Sequence, residues 1–308
     1  MIRIALAIAV LASTAPVGVA LARTLEVGAG KEFASPSAAS QAAKPGDRVQ
    51  IQPGEYFDCA TWSQRGLVVE GMGTPDKVVM TDKACGGKAL FITTAPDITI
   101  RNLTLTRARV ADGNGAGIRA EAPGLVVERV RFINNQNGIL AGFDGGTVTV
   151  RDSEFTRNGT CEAACAHGIY AGKLDLLRVE NSRFTDTRQG HHIKSRALRT
   201  EVVGNTIIDG PTGTASYMVD ISNGGSVLVQ NNTMEKGVNA ENHLGAVMIG
   251  MEGVTQPTRN ITIEGNTFRN AGTYPTFFVV NRTATEAVLR NNRISGSAKP
   301  LSGDGDVQ

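Results

Sequence analysis

The sequence predicts an all-β chain folded as a right-handed parallel β-helix, a solenoid in which short strands stack coil upon coil. The first observation is a unit that recurs from residue 98 onward: a short strand of Val, Ile and Leu, a polar corner, and one hydrophobic residue at a fixed place. The second is composition, since the chain has 36 glycines and only 5% aromatic residues. Such a chain forms many short strands separated by frequent turns rather than long amphipathic helices.

The polar corner defines the repeat. Its hydrophobic residues lie between 23 residues apart, as for Phe132 and Phe155, and 34 residues apart, as for Met234 and Phe268. A solenoid accepts this variation because its coils share strands but carry turns of different length, whereas a propeller needs about 40 residues per repeat. We expect the corner asparagines to adopt the left-handed backbone and to hydrogen-bond from coil to coil. The corners are Ser153-Glu154-Phe155, Ser182-Arg183-Phe184, Asn205-Thr206-Ile207, Asn232-Thr233-Met234, Asn266-Thr267-Phe268 and Asn292-Arg293-Ile294, with weaker copies ending at Leu105 and Phe132.

A second column of strands follows the corner in each coil, as in Gly138-Ile139-Leu140-Ala141 and Gly168-Ile169-Tyr170-Ala171. Side chains alternate between the two faces of a strand, so one residue per coil points into the core while its neighbours point outward. The expected inward set is Ile118, Ile139, Ile169, Ile193, Val219 and Val247.

The N-terminal segment, residues 1–22, has the pattern of a secretory signal peptide, because Arg3 precedes an apolar run and Ala20-Leu21-Ala22 supplies a cleavage site. The run is too short to span a bilayer core of about 30 Å. We therefore expect a secreted or periplasmic protein. The β-helix domain is assigned to residues 23–297, with a short helix at residues 36–43 that covers the open end of the solenoid. The composition of residues 298–308 suggests a disordered tail.

The cysteine count predicts disulfides, and the net charge limits the classes of partner that the protein is expected to bind. An even number of cysteines in an oxidising compartment favours disulfides, and proximity suggests Cys59 with Cys85 and Cys161 with Cys165, although four cysteines allow three connectivities. A metal site near His167 is the alternative, but the spacing lacks a second ligand pair. The net charge of +2 gives no field that favours nucleic acid or a membrane surface. We expect a monomer with no membrane insertion once the signal is removed.

The segment VGAGKEFASPSAASQAAKPGDRVQIQPGEY, residues 27–56, reads as a short Ala-rich helix, a Pro-Gly turn and a first strand. It resembles the start of proteins of the pectin-lyase-like superfamily of β-helices, and the resemblance extends over residues 24–297. The resemblance implies the fold. It says less about activity, because that superfamily includes lyases, hydrolases, epimerases, adhesins and periplasmic accessory proteins.

One coil departs from its neighbours and carries the candidate catalytic residues. Where other coils have glycine and small residues, this coil reads His191-His192-Ile193-Lys194-Ser195-Arg196. Alternation predicts that His192, Lys194 and Arg196 share the outward face. Clustered cations and imidazoles in a solenoid of mostly apolar and small outward residues indicate a site.

Stacking predicts which residues surround this cluster. Tyr170 is expected one rung below Lys194 and Asp220 one rung above it, with Arg119 lower in the same column. His167 and His191 have inward parity or lie in a turn, and for them a structural role and a binding role are equally open. The predicted substrate-binding set is Tyr170, Asp220, Arg119, His191 and His167.

Cations beside an aromatic ring and a carboxylate fit an acidic polysaccharide, and the resemblance implies lyase chemistry on uronate polymers. Elimination needs the substrate carboxylate neutralised, a base for the C5 proton and an acid near the leaving oxygen. Arg196 could bind the carboxylate and Lys194 could be the base, with His192 or Tyr170 as the second candidate for base or acid. A C5-epimerase and a non-catalytic carbohydrate-binding or surface-structure protein are the alternatives.

A glycoside hydrolase is the rival enzyme class on this fold, and it needs two carboxyl groups roughly 5 to 9.5 Å apart. The outward acids Glu121 and Asp220 are expected four coils, or about 19 Å, apart. The paired Asp and Gly-His-Gly of polygalacturonases and the Asp-Pro-His-Asp of mannuronan epimerases are missing. We expect no organic cofactor. Calcium binding stays open, but no metal ligand can be assigned, because no acidic cluster in the sequence supplies the oxygen ligands that calcium needs.

Overall fold

The computed structural model describes residues 22–162 and 164–308, so the predicted signal peptide lies almost entirely outside the described residues. Over the described residues the chain forms a parallel β-solenoid with one α-helix, α1 (Pro36–Ala42), and one short 3₁₀ helix (Pro75–Lys77). None of the helices in these two ranges is long and apolar enough to cross a membrane. The predicted helix at residues 36–43 is confirmed.

The strands are short, mostly three to five residues, as expected for a solenoid whose coils turn sharply. In the first half of the chain they are β1 (Thr24–Val27), β2 (Arg48–Ile51), β3 (Gly54–Tyr56), β4 (Ala60–Trp62), β5 (Val68–Gly71), β6 (Val78–Thr81), β7 (Ala89–Thr93), β8 (Thr99–Arg101), β9 (Thr104–Thr106), β10 (Ala116–Ala120), β11 (Leu125–Glu128), β12 (Arg131–Ile133), β13 (Asn137–Ala141), β14 (Thr147–Arg151), β15 (Glu154–Thr156) and β16 (Ile169–Ala171).

The second half continues the same pattern of short strands. Its strands are β17 (Leu176–Glu180), β18 (Arg183–Thr185), β19 (His191–Ser195), β20 (Arg199–Val203), β21 (Thr206–Ile208), β22 (Tyr217–Ile221), β23 (Ser226–Gln230), β24 (Thr233–Lys236), β25 (Gly245–Ile249), β26 (Ile261–Glu264), β27 (Thr267–Asn270), β28 (Thr276–Asn281), β29 (Ala287–Arg290), β30 (Arg293–Ser295), β31 (Ala298–Ser302) and β32 (Gly305–Val307).

These strands form three parallel sheets that run the length of the solenoid. Sheet 1 has the order β1-β2-β5-β8-β11-β14-β17-β20-β23-β26-β29-β32. Sheet 2, which carries the polar corners, has the order β3-β6-β9-β12-β15-β18-β21-β24-β27-β30. Sheet 3, which carries the second strand column, has the order β4-β7-β10-β13-β16-β19-β22-β25-β28-β31. Each coil therefore contributes one strand to each sheet over most of the chain.

The core consists of side chains that repeat at the same place in every coil. In sheet 3, Ile193 pairs in register with Ile169 below and Val219 above, and the whole predicted inward set is buried. In sheet 2, the rings of Phe132, Phe155 and Phe184 stack with centroids 4.6 and 4.5 Å apart. This spacing is close to the distance between neighbouring strands, so the solenoid itself sets the ring stack.

The corner asparagines form the predicted ladder in the second half of the chain. The side-chain amide of Asn205 donates to Asn232 at 3.0 Å, Asn232 donates to Asn266 at 2.9 Å, and Asn266 donates to Asn292 at 2.9 Å. The expected left-handed backbone is wrong by one position, because it falls on the preceding residue, as at Asn231 with φ of 55°. The ladder asparagine is free to face inward because its neighbour makes the turn.

The N-terminal end of the solenoid is covered by α1. Ser35 caps the helix by accepting a hydrogen bond from the Ala38 backbone, and Pro36 occupies the first turn, where its missing N–H is not needed. Ala39 is fully buried and belongs to the hydrophobic core of the solenoid. Because α1 contacts β1 and β4, the terminal strands of sheets 1 and 3, it shields edges that would otherwise offer unpaired backbone groups.

The prediction of a disordered tail at residues 298–308 is wrong. β31 pairs with β28 and β32 pairs with β29, and the partly buried Leu301 packs against the core. Composition favoured disorder because the segment is polar and Gly-rich, but parallel pairing satisfies its backbone groups regardless of the side chains. The β-helix therefore continues past residue 297 to Val307.

Both disulfides have the predicted connectivity, with Cys59 bonded to Cys85 and Cys161 bonded to Cys165. The alternative of a metal site at Cys161 and Cys165 is thereby set aside, since a disulfide sulfur is not a thiolate ligand. The second disulfide closes a small loop that borders the outer face of sheet 3.

Candidate functional site

The outer face of sheet 3 carries a cavity of about 590 Å³ near the middle of the solenoid. Six of the eight predicted site residues line it: Arg119, His167, Tyr170, His191, Lys194 and Arg196. Asn137 and Glu252, which the sequence analysis did not select, also line it. The described parts of the chain thus bring most of the predicted cluster together on one surface.

The predicted stacking order is confirmed by the strand register. Lys194 pairs with Tyr170 on the coil below and with Asp220 on the coil above. Arg119 lies two coils below Tyr170, with Leu140 between them. Neighbouring strands are about 4.8 Å apart, so functional groups on adjacent coils lie close enough to contact one small ligand.

Lys194 is almost fully buried, and its ammonium is paired with two carboxylates. Its Nζ donates to Asp220 Oδ2 at 3.0 Å and to Glu252 Oε1 at 2.5 Å. Asp220 is itself buried and also accepts a hydrogen bond from Ser222 at 2.7 Å. These contacts use two of the three N–H groups of the ammonium and leave one for another partner.

Arg196 links several elements of the site. Its Nε donates to the Tyr170 hydroxyl oxygen at 3.0 Å, Nη1 donates to Asn223 Oδ1 at 2.6 Å, and Nη2 donates to Glu252. Burial opposes the charged form of Arg196, but the hydrogen bonds to Tyr170 and Glu252 outweigh it and raise the pKa of the guanidinium. The expected bidentate clamp on a substrate carboxylate is therefore largely occupied by the protein's own groups.

Glu252 reaches the site from the loop between β25 and β26, 58 residues along the chain from Lys194. Burial would raise the pKa of its carboxyl, but the hydrogen bonds and charges of Lys194 and Arg196 hold that pKa below its usual range. No repeat position marks this residue, since it lies in a turn of variable length. Its loop is one of the longer turns of the repeat, and this length is the one signal in the sequence that could have identified it.

His167 and His191 lie on the outer face, not at inward positions. Their rings stack on each other with centroids 4.8 Å apart, Tyr170 flanks His167, and Tyr217 flanks His191. Burial lowers the pKa of His191 to about 4, and burial together with the nearby cations lowers the pKa of His167 well below its usual value. Both imidazoles are therefore neutral at pH 7.

The prediction that His192 shares the outward face is wrong. Its side chain is fully buried, its Nε2 lies 2.7 Å from Asp209 Oδ1, its Nδ1 lies 2.8 Å from Thr187 Oγ1, and its ring meets the edge of Phe184. The coils below have glycine at this place, and a Cβ at Gly138 would approach Phe155. This column of positions therefore faces the phenylalanine stack. Because glycine has no side chain, the glycines of the other coils do not show in the sequence which way the column points.

A buried lysine, Lys236, lies near this network and gives the fold a pH dependence. Its Nζ donates to the Ser216 carbonyl at 2.7 Å, and burial lowers its pKa from 10.5 to about 8, although the Asp209 charge opposes that shift. Between these two values the unfolded chain holds a proton that the folded chain has lost, so the free energy of unfolding rises with pH.

We expect wild-type protein to gain about 2 to 3 kcal/mol relative to Lys236→Met between pH 7 and pH 10, since one pKa unit corresponds to about 1.4 kcal/mol. Urea unfolding at the two pH values measures this difference. Lys299→Met, which removes an exposed lysine, is the matched control and is expected to follow the wild type. Equal pH dependence of wild type and Lys236→Met would contradict the prediction.

Within residues 22–162 and 164–308, no group of three His, Cys, Asp or Glu side chains has the arrangement that holds a metal ion. Asp220 and Glu252 are both ion-paired with Lys194, and Glu252 is also paired with Arg196.

The chain belongs to the right-handed β-helix family. The family described as "Right handed beta helix region" matches residues 66–207 and 160–305, which together cover more than half of the chain. The predicted fold and the resemblance to the pectin-lyase-like superfamily are thereby confirmed. Comparison with curated proteins gave no match.

Several solved structures are similar in fold. An alginate lyase from Paenibacillus sp. str. FPU-7 is 16% identical with a TM-score of 0.68, covering 92% of this chain and 99% of the lyase. The pectate lyase Pel9A is 15% identical with a TM-score of 0.52, covering 93% and 78%. A pectin methylesterase from Aspergillus niger is 12% identical with a TM-score of 0.51, covering 96% and 93%. At these identities the similarity establishes the fold alone.

Proposed function

We propose that the protein is a polysaccharide lyase that cleaves an anionic, uronate-containing polysaccharide by β-elimination. The observation that carries the proposal is the contact between Arg196 and the Tyr170 hydroxyl, beside Lys194 in one cavity. A phenolic oxygen that accepts from a guanidinium, on the coil next to a lysine of the same cavity, is suited to proton transfer next to a substrate carboxylate. The similarity in fold to alginate and pectate lyases supports the proposal.

Tyr170 is the proposed acid and base. Arg196 donates to its oxygen and so fixes the position of the hydroxyl in the cavity. The phenolate takes the C5 proton, the C5–H electrons form the C4–C5 double bond, and the C4–O bond breaks. The phenol then gives its proton to the departing oxygen. This assignment uses one residue for both steps and makes Arg196 a positioning residue rather than the carboxylate clamp expected from the sequence.

Lys194 is proposed to stabilise charge rather than to remove the proton. Two of its N–H groups already serve Asp220 and Glu252, and an ammonium has no lone pair with which to accept a proton. Its remaining N–H can contact the substrate carboxylate, where negative charge grows as the C5 proton leaves. The sequence predicts that Lys194 is the base, whereas the two ion pairs of Lys194 favour Tyr170 for that step.

A glycoside hydrolase is less favoured, for a reason that differs from the one drawn from the sequence. Asp220 and Glu252 both contact Lys194 Nζ, so two carboxylates do lie close together. A hydrolase, however, needs one carboxyl group protonated as the general acid. The low pKa of Glu252 keeps that group ionised.

The proposed partner is an acidic polysaccharide, met outside the cytoplasm. Arg119, Lys194 and Arg196 all line the cavity, and the N–H groups that they do not use in the protein's own ion pairs can donate to an anionic chain. Two disulfides suit an oxidising compartment, which supports a secreted or periplasmic location.

The test is to incubate residues 23–308 with polygalacturonate, polymannuronate, polyguluronate and glycosaminoglycans and to follow the ultraviolet absorbance of new double bonds. We expect absorbance to grow with at least one uronate polymer. Solvent hydrogen exchange at C5 without absorbance would indicate an epimerase instead. Binding of a polymer with neither signal would indicate a non-catalytic carbohydrate-binding protein, and either result would contradict the lyase proposal.

A further inference from the structure

Three side chains on one edge of the cavity are held in fixed orientations by backbone N–H groups. The His167 backbone donates to Asn137 Oδ1 at 2.8 Å, the His191 backbone donates to His167 Nδ1 at 3.0 Å, and the Tyr217 backbone donates to His191 Nδ1 at 3.2 Å. Each coil thus orients the side chain of the coil below it. The three side chains follow one column of sheet 3: Asn137 and His191 begin β13 and β19, and His167 lies two residues before β16.

These bonds determine which atoms are left to contact a ligand. A backbone N–H only donates, so the Nδ1 of each histidine must carry a lone pair, and a neutral imidazole then has its proton on Nε2. In the same way, Asn137 uses its oxygen for the backbone and is left with its amide NH₂. The edge therefore offers N–H donors and no free acceptor.

Asn137 Nδ2 is the most informative of these donors. The residue is 1% exposed and lines the cavity, and its Nδ2 has no hydrogen-bond partner within the described ranges. Most buried polar atoms in folded proteins are paired, so an unpaired donor facing a cavity indicates a ligand that pairs with it. On the adjacent coil, His167 Nε2 likewise makes no hydrogen bond to the described residues, whereas His191 Nε2 lies 3.5 Å from Asp220 Oδ2.

We propose that Asn137 Nδ2 and His167 Nε2 form a two-donor subsite for a carboxylate of the polysaccharide, with His191 as the residue that positions His167. The inference rests on the proposed function for its ligand but not on the elimination reaction. The donors sit on neighbouring coils, which suits the two oxygens of one carboxylate. They are also neutral, so they select an anion by hydrogen-bond direction rather than by charge. The remaining N–H of Lys194 is then left for the carboxylate of the reacting sugar unit.

The sharpest variant is Asn137→Asp, because it keeps the oxygen that accepts from the His167 backbone and replaces only the donor. We expect the Kd for a uronate trisaccharide to rise at least 100-fold, since one hydrogen bond to a charged group is worth about 10- to 100-fold and the new charge repels the carboxylate. The probes are trigalacturonate, trimannuronate and triguluronate with their methyl esters, measured by calorimetry in a Tyr170→Phe background.

Asn114→Asp is the matched control, because Asn114 also lines the cavity but lies outside the column of fixed donors. It adds the same charge, and we expect less than a tenth of the loss seen with Asn137→Asp. The methyl esters are expected to lose little affinity in either variant. Equal losses in the two variants, or equal losses for acid and ester, would overturn the subsite.

A second measurement leaves Asn137 unchanged. Nitrogen-15 NMR of histidine-labelled Tyr170→Phe protein at pH 7 is expected to show His167 protonated on Nε2, with that nitrogen shifting when the acidic trisaccharide is added. A proton on Nδ1, or no shift at saturating ligand, would overturn the proposal. Both measurements report binding and not turnover, so a protein that binds through Asn137 without cleaving would refute the lyase and leave the subsite standing.

Discussion

Replacing Tyr170 by phenylalanine is expected to lower kcat for elimination by about 10²- to 10⁴-fold, the usual contribution of a general acid or base. The ring and its stacking on His167 are kept, so only the hydroxyl that accepts from Arg196 is lost. Because the hydroxyl acts mainly in the transition state, KM is expected to change little. Steady-state kinetics from the absorbance of the unsaturated product measures both constants.

Lys194 supplies the matched comparison, since it occupies the adjacent coil in the same column. Lys194→Arg keeps a cation between Asp220 and Glu252 but cannot act as a base, so we expect it to retain more activity than Tyr170→Phe. Lys194→Met removes the cation and is expected to be more damaging than Lys194→Arg. If Lys194→Arg is inactive while Tyr170→Phe keeps most of its activity, proton abstraction belongs to Lys194 and the assignment made here is wrong.

Replacing Phe155 by alanine is expected to lower the free energy of unfolding by about 3 to 5 kcal/mol, the usual cost of emptying a large aromatic site in a core. Phe155 is fully buried between the rings of Phe132 and Phe184, so its removal leaves a gap bounded on both sides. Neighbouring coils are held by strand pairing and have little freedom to close such a gap.

Urea unfolding followed by circular dichroism measures the effect of Phe155→Ala. Phe57→Ala is the matched control, because Phe57 has 66% of its surface exposed and its truncation is expected to change stability by no more than about 0.5 kcal/mol. Equal stabilities of the two variants would show that the ring stack does not support the solenoid as described.

The fold could be predicted because every coil solves the same packing problem. An inward residue such as Ile193 must match Ile169 and Val219 in the coils on either side, so the solution is written into the sequence many times. A mistake about one coil is corrected by the others. The order of residues 298–308 was not predicted because it depends on backbone hydrogen bonds, which do not require particular side chains in the sequence.

The site could be predicted only where it follows the repeat. Tyr170, Lys194 and Asp220 were placed correctly because they lie at equivalent positions of adjacent strands. Glu252 was missed because it lies in a turn, where no register relates it to Lys194. His192 was misplaced because strict alternation fails at the beginning of β19, where the adjacent side chains of His192 and Ile193 both point into the interior.

Asn137 was missed for a further reason: it is singled out by its amide nitrogen, which makes no hydrogen bond to the described residues. In the sequence it is one asparagine among many, and in the strand it stands where another coil has alanine, Ala116. Only the three-dimensional arrangement shows that its oxygen is committed to the His167 backbone while its amide nitrogen is left over.

The loop that carries Glu252 makes the wall of the cavity independent of its floor. It begins after β25 and ends before β26, and the strands on either side keep their register with β22 and β23. Residues can therefore be inserted or deleted in this loop without shifting the register of the strands. The shape of the wall can be redesigned through this loop while the strands that hold Tyr170 and Lys194 keep their pairing.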